Sequence, residues 1–130
     1  MLRLIGGTVA GVIAWFVIVT VLNLGLRYGW PEYHAVEKAM TFTLPMMIAR
    51  LTESGVSSIL GGAIASALAR DRRAAWFSGL VLLVMFVPVH YGLWSRFPVW
   101  YHLTFLTSLM VLSGIGGRIA PVRRRRYQSA

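Results

Sequence analysis

The chain has 130 residues, of which 57% are hydrophobic and only 13% carry a charged side chain. Four membrane spans would leave about 40 residues for loops and ends, fewer than the roughly 50 that an independently folding domain usually needs. The chain contains no cysteine, which excludes disulfides, thiolate metal sites and cysteine nucleophiles. Any function must therefore be carried by the helices, by short loops or by an oligomer.

Four long apolar stretches predict four membrane-spanning helices. A helix needs about 20 apolar residues to cross a hydrocarbon core of about 30 Å, and in lipid its backbone groups must pair internally. The predicted helices cover about residues 2–26, 44–69, 74–94 and 98–119. We therefore expect an all-α polytopic membrane protein, in which a single domain over residues 1–120 is an antiparallel bundle of four transmembrane helices. Residues 121–130 are the basic tail.

The connections between these stretches differ in length. Trp30 and Pro31 break the first helix, and the polarity of residues 32–43 favours a short interfacial helix or a loop. Pro45 and Pro98 suit the first turn of the helices that follow them. The turns at residues 70–73 and 94–98 are tight, which favours antiparallel neighbours.

The formal net charge of +9 is distributed unevenly between the two sets of helix ends. Nine basic residues and one acidic residue fall at one set of ends, and four basic and three acidic residues at the other. Cytoplasmic loops carry such an excess of lysine and arginine. Both termini are therefore expected in the cytoplasm. Twelve of the thirteen basic residues are arginine, which is typical of a GC-rich bacterial genome, so the protein is expected in a bacterial inner (plasma) membrane.

Small residues recur at helical spacing and predict close helix packing. Helix association in lipid depends on van der Waals contact between small residues. The stripe of the second helix is Ser54, Ser58, Gly62 and Ser66, and matching pairs are Gly7 with Gly11 and Ser113 with Gly117. Packing within the chain and a homodimer seam are both compatible with this pattern.

Ionisable residues inside membrane spans are expensive and mark candidate sites. At about 1.5 Å per residue, Glu53, His90 and His102 each lie about 24 Å from the cytoplasmic end of their helix. This shared depth predicts one polar cluster in the outer leaflet. Its candidate members are Arg50, Glu53, His90, His102, Asn23 and Tyr101, with Tyr91 as a further candidate.

Several roles for this cluster are open at the level of sequence. Glu53 and a histidine could pass a proton, two histidines with Glu53 could bind a divalent metal, and two histidines could hold a haem. The cluster could equally be structural, with Arg50 and Glu53 neutralising each other at i,i+3. The expectation is that the protein holds no cofactor or metal.

The basic run Arg123, Arg124, Arg125 and Arg126 is expected to anchor the topology and to contact anionic lipid headgroups. Nucleic-acid binding is not expected, because no folded module stands behind the run. The expected partners are the lipid bilayer and a second copy or another membrane protein.

The stretch 97–105, Phe-Pro-Val-Trp-Tyr-His-Leu-Thr-Phe, with Gly116, Gly117 and Arg118, resembles the last helix of uncharacterised small four-helix bacterial inner-membrane proteins. The resemblance implies a fold and no activity. The leading prediction is a non-enzymatic accessory or partner-binding bundle. The alternatives are a small transporter or channel protomer that uses the polar cluster, and a haem- or metal-binding redox protein.

Overall fold

A computed structural model describes residues 1–122 of the chain, and the predicted lipid contacts of Arg123–Arg126 lie outside this range. Within it the structure is all helical, with no strand, which confirms the predicted all-α class. The helices are α1 (Leu2–Gly29), α2 (Pro31–Val36), α3 (Leu44–Ala69), α4 (Arg73–Gly92) and α5 (Val99–Ile119), and a short 3₁₀ turn spans Trp94–Arg96.

The helix boundaries follow local backbone chemistry. Trp30 is extended, and Pro31 opens α2 where a missing N–H costs nothing. Arg70 adopts a left-handed conformation with φ 55° and ends α3. Pro98 stands just before the first residue of α5 rather than inside its first turn.

Three helices, α1, α4 and α5, are long and apolar enough to cross a membrane. This supports a membrane protein. α3 has 26 residues, comparable to the others in length, but its serines, glycines and two charged residues make it less apolar. Its place in the bundle is central, since it contacts α1, α4 and α5.

Small residues bring the helices into close contact. A side-chain carbon at Gly7 or Gly11 would lie 2.6 Å from the Cβ of Ala69 or Ala65 in α3. Gly62 of α3 lies against the backbone of Ser113 in α5, within one chain. All eight residues predicted to serve helix packing are buried within the one chain: Gly7, Gly11, Ser54, Ser58, Gly62, Ser66, Ser113 and Gly117.

An apolar core of large side chains fills the middle of the bundle. Trp15, Leu82, Phe105 and Leu109 are buried together there. The Trp15 indole Nε1–H donates to Ser58 Oγ at 3.1 Å, so the one polar atom of the ring has a partner. Two of these residues, Trp15 and Phe105, also line a pocket that lies towards the end of the bundle where α1 ends and α3 begins.

Candidate functional site

A pocket of about 460 Å³ lies between the helices at this end of the bundle. Its apolar part is largely aromatic, and includes Trp15, Phe86 and Phe105. Its polar part includes Asn23, Arg27, Glu37, Arg50, Glu53 and Tyr101, together with the hydroxyl residues Thr20 and Ser54. Ligand pockets in proteins commonly have volumes of about 300–1,000 Å³ and combine an apolar lining with a few polar groups.

Two residues that line this pocket each have a buried polar atom with no hydrogen-bond partner among the described residues. These atoms are Glu53 Oε1 and Ser54 Oγ, and their side chains belong to residues that are 8% and 1% exposed. Leaving a buried polar group unpaired costs about 1–3 kcal/mol, and more when it is charged. Both atoms are on α3, and both belong to residues that line the same pocket.

Arg50 lies one helical turn before Glu53 on α3. Its Nη1–H donates to the Tyr33 hydroxyl at 2.8 Å, and its Nε–H donates to the Tyr101 hydroxyl at 3.3 Å. The guanidinium also stands 4.7 Å above the ring of Phe42. Arg50 and Glu53 form no ion pair in the described part of the chain, in contrast to the mutual neutralisation considered from the sequence.

The segment between α1 and α3 supplies the rest of the polar network. Arg27 forms a bidentate pair with Glu37 at 2.8 Å, and Asn23 donates to the same carboxylate at 3.1 Å. The hydrogen bonds from Arg27 hold the pKa of Glu37 at about 2, well below its usual range. The Tyr33 hydroxyl, which accepts from Arg50, donates to Asn23 Oδ1 at 2.7 Å. Burial raises the pKa of this phenol, which keeps it neutral and able to donate.

His90 and His102 form a pair that is separate from the pocket residues. Their Nδ1 atoms are 2.6 Å apart, and His102 Nε2 lies 3.3 Å from the Trp94 carbonyl oxygen. Because a carbonyl only accepts, Nε2 of His102 carries its proton when the ring is neutral. His90 Nδ1–H therefore donates to His102 Nδ1, and neither ring lines the pocket.

The structure thus divides the single cluster expected from the sequence into two groups. Asn23, Arg50, Glu53 and Tyr101 line the pocket together. His90 and His102 contact each other behind Tyr101, whose ring centroid is 6.2 Å from that of His90. Tyr91 belongs to neither group and is 84% exposed.

Sequence reasoning missed Arg27, Tyr33 and Glu37. The helical spacing of Arg27 could have revealed it, because Asn23 and Arg27 are four residues apart and so share a face of α1. No periodic signal marks Tyr33 or Glu37, which the connecting segment folds back over the bundle.

Within residues 1–122, no group of three histidine, aspartate or glutamate side chains could hold a metal ion. No family model, curated protein or solved structure matches this chain.

Proposed function

We propose that this chain is a multi-pass membrane protein that binds a small molecule in its aromatic and polar pocket, without catalysing a reaction. The observation that carries the proposal is Glu53, which lines a pocket of about 460 Å³ and whose buried carboxyl group has an oxygen without a hydrogen-bond partner among the described residues. Intramembrane ionisable residues are costly, and they usually mark a ligand or ion pathway. Of the predicted functions, a small transporter or channel protomer receives more support from this pocket than an accessory bundle does.

We propose that α3 is a fourth membrane-crossing helix. Its exposed large side chains are apolar and suit contact with acyl chains: Leu44, Ile48, Val56, Leu60, Ile64 and Leu68. Its polar side chains Glu53, Ser54 and Ser58 are buried. The modest hydropathy of α3 therefore reflects its inward face, which lipid would not contact.

The proposed bundle is antiparallel, with both termini in the cytoplasm of a bacterium. Its support includes the contacts of Gly7 with Ala69 and of Gly11 with Ala65, in which the residue numbers of α1 and α3 run in opposite directions. The excess of arginine in the turn at residues 70–73 and near the two termini supports the orientation. Reporter fusions after Ala130 and within residues 32–38 test it, and activity of a periplasm-only reporter at Ala130 would overturn it.

A hydrophobic carbodiimide tests access to the pocket. Such reagents add covalently to the protonated form of carboxyl groups in apolar surroundings, so the labelling is run at a mildly acidic pH at which an otherwise ionised carboxyl group is partly protonated. Intact-mass analysis counts the adducts. We expect one adduct on the wild-type protein and none on Glu53→Gln, while Glu32→Gln, at an exposed site, behaves like the wild type. Equal labelling of wild type and Glu53→Gln, or labelling of neither, would mean that small molecules do not reach Glu53 and would overturn the proposal.

The haem alternative receives less support from the histidine geometry. A metal–nitrogen bond is about 2.0 Å long, so two axial nitrogens on one iron would lie about 4 Å apart. The Nδ1 atoms of His90 and His102 are 2.6 Å apart and form a hydrogen bond with each other. Axial ligation by these atoms would require this pair to separate.

A further inference from the structure

We infer that the pocket selects a zwitterion with an apolar substituent, whose anionic group binds Arg50 and whose cationic group binds Glu53. This inference rests on the proposed small-molecule function and names the chemical class of the ligand. It follows from how charge is distributed around the pocket.

Two cationic and two anionic side chains line the pocket, so its formal charge is balanced. Arg27 and Glu37 neutralise each other at 2.8 Å. Arg50 and Glu53 do not pair in the described part of the chain, although both line the same space. A ligand with a single charge would satisfy one of these two groups and be repelled by the other, whereas a zwitterion would satisfy both.

The spacing of the two groups fits a compact zwitterion. Residues three apart on a helix are neighbours on one face, with Cβ atoms about 5–6 Å apart. The Arg50 guanidinium is held in place by two phenol hydroxyls and stands over the Phe42 ring. Because these partners are neutral, the full positive charge remains available to a carboxylate or phosphate, which arginine binds well.

The other parts of the pocket complete the match. Ser54, next to Glu53, also lines the pocket, and its buried Oγ is a second polar atom without a partner among the described residues. Below it, the Trp15 and Phe86 ring centroids lie 5.1 Å apart, and those of Phe86 and Phe105 lie 5.3 Å apart. These rings would cover an aliphatic substituent. An apolar amino acid and the headgroup of a zwitterionic phospholipid both have this chemistry.

Competition with carbodiimide labelling of Glu53 tests the inference on the full-length protein in nanodiscs of phosphatidylglycerol. Leucine is compared with 3-methylbutylamine and 4-methylpentanoate, which keep its apolar chain and carry only the positive or only the negative charge. A second arm replaces part of the phosphatidylglycerol by phosphatidylethanolamine. We expect a saturable protection by a zwitterion, reaching about tenfold slower labelling when the probe is at about ten times its Kd. The two single-charge analogues should not protect.

The variant Arg50→Gln should weaken protection by the zwitterion about tenfold or more, because a charge-assisted contact is lost. Its own labelling without probe reports whether it is folded, and Arg50→Lys, which keeps the charge, should retain part of the protection.

Protection by leucine alone identifies a free solute, and protection by phosphatidylethanolamine alone identifies a lipid headgroup. Equal protection by either single-charge analogue, or labelling that no zwitterion slows, would overturn the zwitterion inference and leave the accessible pocket standing. Absence of Glu53 labelling in the wild type would instead overturn the proposed function.

Discussion

The contact between α3 and α5 should be intolerant of a single added methyl group at Gly62. In Gly62→Ala, the new Cβ would lie 2.7 Å from the carbonyl carbon of Ser113 and closer still to its oxygen. Carbon atoms pack at about 3.5–4.0 Å, so the two helices would have to separate by about 1 Å. Overpacking of this kind typically costs about 1–3 kcal/mol.

The expected loss corresponds to a Tm about 4–12 °C lower, at about 4 °C per kcal/mol for a chain of this size. The measurement is thermal unfolding of the purified protein in one detergent. Gly6→Ala is the matched control, because nothing lies within 4 Å of a Cβ at Gly6. That change should be neutral or stabilising by up to about 1 kcal/mol, through helix propensity.

A reciprocal contact allows a sharper version of the test. Gly116 of α5 lies against the backbone of Ile59 in α3, so Gly116→Ala should also be destabilising. Because one separation of the helices relieves both clashes, the double variant should lose less stability than the sum of the two single losses. An unchanged Tm in Gly62→Ala, or one equal to that of Gly6→Ala, would refute the close backbone contact on which this reasoning depends.

Two further expectations concern Trp15 and Glu37, which both line the pocket. Trp15→Phe removes the hydrogen bond to Ser58 and should lower the free energy of unfolding by about 1–2 kcal/mol, measured by thermal unfolding. The control Trp100→Phe, at an exposed position, should stay within about 0.5 kcal/mol of the wild type. Equal effects of the two changes would contradict the hydrogen bond between Trp15 and Ser58. The lowered pKa of Glu37 predicts a stability contribution that is fully present above its ordinary value of 4.5 and is lost as the pH falls towards about 2. In acid titrations followed by thermal unfolding, Glu37→Gln should lack that loss and Glu32→Gln should keep it, and an identical profile in all three proteins would argue against the Arg27–Glu37 pair.

The separation of the two histidines from Glu53 illustrates how far depth alone can predict a site. Residue counts along three helices place His90, His102 and Glu53 at a similar height, because the rise per residue is constant. Height does not determine the direction in which a side chain points around its helix axis. The rotation of each helix about its axis sets that direction, and in this bundle His90 and His102 contact each other while Glu53 lines the pocket.

The sequence by itself determined the all-helical class, the positions of the long helices, the small-residue packing faces and the residues available for a polar site. These features are local, since they follow from apolar length, from helical spacing and from glycine and proline at the ends. The tertiary structure alone decided that Tyr33 and Glu37 fold back over α1, and that Arg50 binds two tyrosines rather than Glu53. Each of these contacts joins residues from separate helices or from a non-periodic segment, and their partners depend on how the helices rotate and pack in three dimensions.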